Sequence, residues 1–316
     1  MANDQNTAGV DSDTLTFAHL TDAHLTSPEG ADARELCNKR LLSYIAWRRH
    51  RRLVHDPAIL ARLISDLKTL GPEHVAITGD LTNLGLIDEC RAALDWLAAL
   101  DAPEHISLIP GNHDRLVSAP WPETMGLWRA FMESDDGHTT GTINFPTIRI
   151  RGPVAFIGLS SAIPTPPLLA TGELGSEQRS RLGQLLARTR DRGLFRVILI
   201  HHPPVPGAYK WRKRLIDSEA TAAVIRDCGA ELVLHGHTHR IVRNELTSRA
   251  GRSIPVVGLA SASSAEASPQ RAARFSLWSV TRRTDGTFSV THRSRRHDPE
   301  SGQFRECTDW NPIDAV

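Results

Sequence analysis

Five apolar segments of the chain, each with the pattern of a short β-strand, end in a cluster of aspartate, asparagine or histidine residues. The clusters are Asp22-Ala23-His24, Gly79-Asp80, Gly111-Asn112-His113-Asp114, His201-His202 and Gly236-His237-Thr238-His239. A single "DAH" or "GD" arises often by chance, but five clusters in this order, each after an apolar strand, do not. Because ligands bind at the carboxyl ends of strands in open α/β sheets, these loops are predicted to meet at one edge of a sheet.

Helical patterns separate most of the predicted strands. Asp56 and Pro57 are typical of a helix start and Gly71 of a helix end, so a helix is predicted over "PAILARLISDLKTL". Further helices are predicted over "DECRAALDWLAAL", "SEQRSRLGQLLARTR" and "SEATAAVIRDC". This alternation predicts an α/β fold with a sheet that is at least partly parallel. In the C-terminal third, "IPVVGLASAS", "RFSLWSV" and "TFSVTHR" have strand patterns without helices between them, which indicates an antiparallel portion or a second sheet.

The chain has 316 residues, of which 40% are hydrophobic and 23% charged, as is ordinary for a globular protein. We predict a single domain over residues 15–294, a flexible leader over 1–14 and a loose tail over 295–316. The leader has neither the basic nor the apolar region of a signal peptide, and no apolar run is long enough to span a bilayer, so a cytoplasmic location is expected. With a formal net charge of +1, the chain has no overall electrostatic attraction to nucleic acid or to an anionic membrane.

The side chains of the five clusters predict a site for two metal ions. They offer seven oxygen and nitrogen donors: Asp22, His24, Asp80, Asn112, His201, His237 and His239. Seven donors exceed the needs of one tetrahedral zinc and suit two ions that share a bridging carboxylate. Mixed imidazole and carboxylate ligands suit two divalent ions such as Mn, Fe, Zn or Co. Gly79, Gly111 and Gly236 are expected to allow sharp turns and close backbone approach beside these donors.

The order of the motifs, D-x-H, GD, GNHD, H and GHTH, resembles that of the calcineurin-like metallophosphoesterase superfamily from about residue 15 to residue 240. The resemblance implies a four-layer α/β fold in which two mixed β-sheets pack as a sandwich flanked by helices, with a dinuclear centre at one end. It implies one metal held by Asp22, His24, Asp80 and His239, and another held by Asp80, Asn112, His201 and His237. His113 and Asp114 would be catalytic, with His113 facing the substrate phosphate and Asp114 orienting His113.

The reaction implied by this resemblance is hydrolysis of a phosphodiester by a hydroxide that bridges the two metals. His113, as an imidazolium, would stabilise charge on the phosphoryl group or protonate the leaving oxygen. The motifs "GDLTNLG" and "GNHD" are similar to those of bacterial cyclic-nucleotide phosphodiesterases and glycerophosphodiesterases, whereas phosphoprotein phosphatases carry "GDxxDRG" and "GNHE". Asn83 would contact the substrate by the same resemblance. His202 is expected to be structural or to line the pocket rather than to bind a metal, and His19 and His235 are expected to lie in the core or behind the ligands.

An insertion over about residues 36–55 departs from that group. Between residues 39 and 52 it carries six Lys and Arg side chains and no acidic one, interleaved with apolar and aromatic residues. One interpretation is a basic amphipathic helix on an anionic membrane surface, and the other is a solvated helix whose apolar face covers the domain. Arg40 is a predicted substrate contact. Its "NKR" motif resembles a branch that cleaves UDP-2,3-diacylglucosamine in lipid A synthesis, so a lipid-linked phosphoester at the inner membrane face is the alternative substrate.

A second basic segment, residues 209–214, follows the His201 loop. It either borders the opening of the predicted metal site, with Lys210 and Arg212 contacting substrate, or is an ordinary exposed loop. A nuclease and a non-catalytic scaffold are alternatives from other functional classes. Specific nucleic-acid binding is not expected, because the overall charge is near zero and no sheet shows interleaved aromatic residues. A scaffold is disfavoured because none of the seven donors is missing, and the sequence makes no prediction of oligomeric state.

Overall fold

The computed structural model describes residues 13–25, 27–137, 141–308 and 310–312, which form two six-stranded β-sheets. The first sheet contains β1 (Thr14–Leu20), β2 (His74–Ile77), β3 (Ile106–Leu108), β10 (Arg274–Arg282), β11 (Phe288–Asp298) and β12 (Gln303–Cys307). Its spatial order is β12-β11-β10-β1-β2-β3. Strands β1, β2 and β3 are parallel, while β10, β11 and β12 add to them in antiparallel fashion, so this sheet is mixed.

The second sheet is also mixed, with a parallel centre and antiparallel edges. Its strands are β4 (Thr147–Arg151), β5 (Val154–Gly158), β6 (Phe195–Ile200), β7 (Leu232–His235), β8 (Val242–Thr247) and β9 (Ser253–Gly258). The spatial order is β4-β5-β6-β7-β9-β8. Strands β5, β6, β7 and β9 are parallel, and β4 and β8 pair with them in the antiparallel direction.

Eight α-helices connect the strands of the described residues. They are α1 (Ala33–Leu36), α2 (Arg40–Ala46), α3 (Arg52–Val54), α4 (Pro57–Leu70), α5 (Ile87–Leu100), α6 (Arg129–Met132), α7 (Gly175–Asp191) and α8 (Ser218–Cys228). Helix α4 begins and ends where the sequence predicts: the Asp56 side chain accepts a hydrogen bond from the Ala58 amide, and Gly71 is left-handed with φ 58°. In the described chain, no helix is long and apolar enough to cross a membrane.

The main core lies between the two sheets. Phe17 of β1 meets Phe156 of β5 edge to face at 5.0 Å and stacks on Trp278 of β10 at 6.4 Å, and all three side chains are buried. Helices α4 and α5 bury their apolar faces in the same core cluster. A second cluster, which includes Leu182 of α7 and Ile225 of α8, packs on the second sheet. The sandwich of two mixed sheets flanked by helices, as predicted, is therefore confirmed.

The prediction of a loose tail over residues 295–316 is wrong for most of the described part of that segment. Strand β11 continues to Asp298, and β12 pairs with it from Gln303 to Cys307. Phe304 is buried, and Arg295 donates to both carboxylate oxygens of Asp66 in α4 at 2.8 and 2.6 Å. An edge strand buries few side chains, so its polar sequence has the pattern of a tail. Residues 313–316, and residues 1–12 of the predicted leader, lie outside the described residues, and Thr14 already belongs to β1.

Candidate metal centre

The seven predicted donors meet where the two sheets present the carboxyl ends of their parallel strands. The loops after β1, β2 and β3 carry four of them, and the loops after β6 and β7 carry the other three. Six of the seven side chains are buried, and His239 is partly exposed. The convergence predicted from strand order is therefore present, and it joins loops from both sheets.

One set of donors consists of Asp22, His24, Asp80 and His239. One donor atom from each of these side chains lies within 4.8 Å of all the others. Nε2 of His239 is 3.1 Å from Oδ1 of Asp22 and 3.4 Å from Nε2 of His24. Donors that coordinate one ion at about 2.0–2.2 Å lie roughly 3–3.5 Å from each other in a tetrahedral arrangement, so this set fits a single divalent cation.

The second set shares Asp80 with the first. Nε2 of His201 is 3.3 Å from Oδ2 of Asp80 and 3.1 Å from Oδ1 of Asn112. The same Asn112 oxygen is 2.8 Å from Nδ1 of His237. Asp80 therefore lies between two groups of nitrogen and oxygen donors, which is the position required of a bridging carboxylate.

Backbone carbonyls determine which nitrogen each imidazole presents to the centre. Nδ1 of His24 donates to the Thr82 carbonyl at 2.9 Å, Nδ1 of His201 to Thr78 at 2.7 Å, and Nε2 of His237 to Lys213 at 3.0 Å. Because a carbonyl only accepts, the opposite nitrogen in each ring is the one that lies among the donors. An imidazole held in this way is oriented as a metal ligand.

The electrostatics of the site also suit cations. Burial opposes ionisation of Asp80, yet the neighbouring His201 and His113 hold its pKa well below the usual range. Burial alone would lower the pKa of His201, but Asp80 raises it to about 9. Burial keeps the pKa of His24 and His237 well below the usual value, so both rings are neutral and able to ligate. The donor set thus holds an ionised Asp80 carboxylate beside the neutral imidazoles of His24 and His237, while His201 has to lose a proton before it can bind a divalent ion.

The backbone at the metal donors is strained. Among the described residues, six that are not glycine have positive φ, and five of them are Asp22, His24, Asp80, His237 and His239. Left-handed backbone costs such residues on the order of 1–3 kcal/mol each and persists where surrounding structure enforces it. The position of these five side chains therefore has a cost in folding free energy that the rest of the fold has to offset.

Glycines next to the donors leave no room for a side chain. A Cβ at Gly111 would collide with the Asp80 carboxylate, and one at Gly236 would collide with Thr21 and with the Asp22 carboxylate at 2.6 Å. A Cβ at Gly79 would lie 2.8 Å from the Gly111 Cα. The predicted close backbone approach is thus confirmed at all three positions.

Substitution of Gly111 by alanine is expected to displace the Asp80 carboxylate and weaken metal binding at least about 10-fold, as loss of a ligand-orienting group does. The measurement is bound metal per chain after dialysis against graded chelator. Gly183→Ala is the matched control, because a Cβ there meets Val224 at 3.6 Å and alanine favours the helix interior. Equal metal retention by both variants would contradict the expectation.

His113 lies beside the donors, but its environment differs from the prediction. Its Nδ1 donates to the Asn83 carbonyl at 2.6 Å, and Nη1 of Arg51 lies 3.1 Å from the same nitrogen. Burial, and then the Arg51 guanidinium, lower the pKa of His113 to about 3. The imidazolium form expected from the sequence is therefore disfavoured, and the fixed positive charge at this position belongs to Arg51.

Asp114 does not orient His113, contrary to prediction. Its carboxylate accepts hydrogen bonds at 2.9 Å from the amides of Asp80, Thr82 and Gly111, and one at 3.0 Å from the Thr82 hydroxyl. The His113 ring is instead oriented by the Asn83 carbonyl. Because the polypeptide turns sharply at Gly111, Asp114 is directed back at the backbone of two loops. It holds the "GD" and "GNHD" loops together.

The four predicted substrate contacts differ in how close they lie to the predicted metal donors. Asn83 is buried beside His113. Arg40 does not reach the donors: it donates to the Leu84 carbonyl at 3.0 Å and the Gly85 carbonyl at 2.6 Å, so it supports the loop after Asn83. Lys210 and Arg212 are exposed, and the Arg212 guanidinium lies 5.3 Å from the Trp211 ring.

Three residues near the donors were not predicted. Arg51 ends a π-helical turn, Trp47–Arg51, and reaches His113 from the insertion. Lys213 brings its ammonium within electrostatic range of Asp22 and Asp80. The ring centroid of His55 lies 4.3 Å from that of His24, with the two rings tilted by 52°, and His55 forms a further candidate metal group with His24 and His239. The basic runs were visible in the sequence, but nothing in it distinguished Arg51 or Lys213 from their neighbours.

Three predicted structural histidines are buried. His202 is bonded at both nitrogens, Nδ1 to the Ser161 hydroxyl at 2.8 Å and Nε2 to the Ala170 carbonyl at 3.2 Å, which leaves neither nitrogen for a metal. His19 bonds the Thr78 hydroxyl, and His235 donates to the Gly236 carbonyl. Their expected structural role agrees with these contacts.

Comparison with known proteins decides the family. Residues 15–240 match the family model described as calcineurin-like phosphoesterase. The chain belongs to this family.

Individual relatives are distant from this calcineurin-like phosphoesterase. It is 32% identical over 138 residues to a probable glycerophosphodiester phosphodiesterase, GpdQ, of Arcobacter nitrofigilis, and the match spans 42% of this chain and 43% of the relative. The fold resembles the sulfate thiohydrolase SoxB of Thermus thermophilus, with a TM-score of 0.51, 18% identity and coverage of 92% of this chain and 58% of that one. A dimetal phosphatase of Danio rerio aligns with a TM-score of 0.49, 16% identity and coverage of 84% and 95%.

Proposed function

We propose that the protein hydrolyses a phosphodiester of the glycerophosphodiester or cyclic-nucleotide type at a centre of two divalent metals. The observation that carries this proposal is the assembly of seven donors as two sets that share Asp80. The partial match to a probable glycerophosphodiester phosphodiesterase supports this substrate class. Two bound cations would neutralise the phosphoryl oxygens and activate water as a nucleophile near neutral pH.

The protein side chains around the donors have separate roles in this proposal. Arg51 supplies a permanent positive charge for a phosphoryl oxygen, because a guanidinium remains protonated at neutral pH. His113 uses its Nδ1–H on the Asn83 carbonyl, so Nε2 is the nitrogen able to accept a hydrogen bond. Lys213 adds a second positive charge within electrostatic range of Asp22 and Asp80. Together they hold an anionic substrate against the metal donors.

A lipid-linked phosphoester such as UDP-2,3-diacylglucosamine is the second candidate substrate. It is favoured by the basic and apolar surface of the insertion, in which Leu41, Leu42 and Leu53 are exposed beside several arginines. Such a surface suits an acyl chain next to a phosphate group. The soluble diesters remain the first candidate because they need only the donors and Arg51.

The experiment compares metal-free protein with protein reloaded with Mn²⁺ on three substrates: 3′,5′-cyclic AMP, glycerophosphocholine and UDP-2,3-diacylglucosamine. Chelation is expected to abolish hydrolysis and Mn²⁺ to restore it, with two ions bound per chain. Turnover of either soluble diester supports the first candidate, and turnover of the lipid nucleotide alone supports the second. Failure of all three, with two metals bound, would overturn both substrate assignments.

A further inference from the structure

The exposed apolar side chains of this protein are concentrated around the mouth of the metal centre. In the part of the chain that the structure describes, the large apolar residues with exposed side chains are Leu41, Leu42, Ile45, Leu53, Leu168, Trp211 and Ile216. They fall in three segments, residues 41–53, 165–170 and 211–216, which we name the mouth rim. Large apolar residues gathered in this way mark an interaction surface, whereas scattered ones do not.

Hydrogen bonds join the three segments of the mouth rim. Lys39, just before the first segment, donates to the Thr165 hydroxyl and, at 2.8 Å, to the Leu169 carbonyl. The Ala170 amide donates to the Arg212 carbonyl at 2.9 Å, which links the second segment to the third. The three segments of the rim are therefore neighbours in the folded chain.

The mouth rim is also bonded to the metal centre. Arg51 of the first segment contacts His113, and the Lys213 carbonyl of the third accepts from His237. The Ala170 carbonyl of the second accepts from His202, next to His201 in the chain. A molecule docked on the rim would thus lie over the catalytic side chains.

The charge of the mouth rim has one sign. Its segments contain seven Lys and Arg residues and no Asp or Glu, in a chain whose net charge is only +1. Arg48, Arg49 and Arg52 are exposed among the exposed leucines of the insertion. Basic side chains interleaved with aliphatic ones are complementary to a surface whose outer layer is anionic and whose layer beneath is apolar.

Leu168 sets the second rim segment apart from an ordinary loop. It is 73% exposed and has φ 66°, the sixth positive φ among described residues other than glycine. Left-handed backbone and an exposed isobutyl group are both unfavourable in water, and glycine or asparagine would serve a simple turn better. The other five residues with this backbone are all predicted metal donors. Leu168 is the one described residue other than glycine that has a positive φ and is not a predicted donor.

We propose that the mouth rim docks on the surface of an anionic phospholipid bilayer and opens the catalytic site towards it. Leu53, which is 72% exposed, Leu168 and Trp211 would enter the headgroup region, while the arginines would pair with lipid phosphates. Nucleic acid would engage the arginines but leaves these leucines without a partner, since bases stack on aromatic rings. Docking itself stands on the rim alone; the activity at that surface rests on the proposed function.

The test is co-sedimentation of the whole protein with vesicles of phosphatidylcholine, with and without an equal share of phosphatidylglycerol. We expect binding to the anionic vesicles only, weakened by added salt. Reversal of three rim charges in Arg48→Glu/Arg49→Glu/Arg52→Glu is expected to lower the partition coefficient at least about 100-fold. Arg252→Glu/Arg283→Glu is the control and reverses two charges, since both residues are exposed beside the start of β9 and the end of β10, at the strand ends opposite to the metal donors.

A second variant tests the apolar contribution without risk to folding. Leu168→Gly/Leu53→Ser removes two exposed side chains, and glycine relieves the positive φ at 168, so thermal stability should not fall. Its binding to anionic vesicles is expected to drop about 10-fold or more.

Three outcomes would overturn the inference. They are wild-type protein that does not bind anionic vesicles, loss of binding in the control that equals loss in the rim variants, and binding of a DNA duplex but not of vesicles. Hydrolysis of bis(p-nitrophenyl) phosphate by the wild type is measured separately. Hydrolysis without vesicle binding refutes the docking surface alone, and vesicle binding without hydrolysis refutes the proposed function alone.

Discussion

Substitution of Asp80 by asparagine is expected to lower kcat/KM for a phosphodiester by about 10³-fold or more, which corresponds to roughly 4 kcal/mol of transition-state stabilisation. Asp80 is the carboxylate shared by both donor sets, and its pKa is held well below the usual range by His201 and His113 although burial opposes ionisation. Asparagine keeps the shape of the side chain but removes the charge that two cations would share. The measurement combines steady-state kinetics with metal analysis, in which bound metal should fall from two ions per chain to one or none.

The matched control for Asp80 is Asp88→Asn. The Asp88 side chain is 91% exposed at the start of α5, where it pairs with Arg91, so the same chemical change there should alter neither activity nor metal content. The assignment of Asp80 as the bridging carboxylate is wrong if Asp80→Asn retains two tightly bound ions and wild-type turnover.

Substitution of Arg51 by alanine is expected to lower kcat/KM about 10²-fold, the size of effect seen when one charged donor to a phosphoryl oxygen is removed. Arg51 lies 3.1 Å from His113 and is close enough to Asp80 for its charge to matter. Removal of its charge should also raise the pKa of His113, because burial and then Arg51 are what lower it to about 3. The imidazole NMR titration of His113 reports that change independently of turnover.

Two further variants separate a substrate contact from a structural role for Arg51. Arg51→Lys should recover part of the lost activity, and added guanidinium should rescue Arg51→Ala, since a free cation can fill the space left by the side chain. Arg34→Ala, on the exposed helix α1, is the control and should leave kinetics unchanged. Loss of stability in Arg51→Ala without rescue by guanidinium would show that the residue only supports the insertion.

Local sequence was enough to predict which seven side chains would converge as candidate metal donors. Each donor follows a short apolar strand within a few residues, and the carboxyl ends of parallel strands share an edge, so no knowledge of distant contacts was needed. Helix α4 was readable for the same reason: Asp56, Pro57 and Gly71 act on the backbone next to them. The clash that a Cβ would make at Gly111 or Gly236 agrees with the close approach that those glycines predicted.

Tertiary structure alone decided which charged side chains surround these donors. The sequence of the insertion fits a helix on a membrane surface and a helix that covers the domain equally well. Its orientation on the domain is set by long-range contacts of Lys39 with the Leu169 carbonyl and of Arg40 with the Leu84 carbonyl. Those contacts place Arg51 against His113 and leave Arg48 and Arg49 exposed, a distinction with no counterpart in sequence periodicity. The family resemblance assigned Asp114 to His113, but the turn after Gly111 directs its carboxylate to backbone amides. Strand ends and caps are properties of neighbouring residues, whereas the placement of a long charged side chain depends on where distant loops supply its partners.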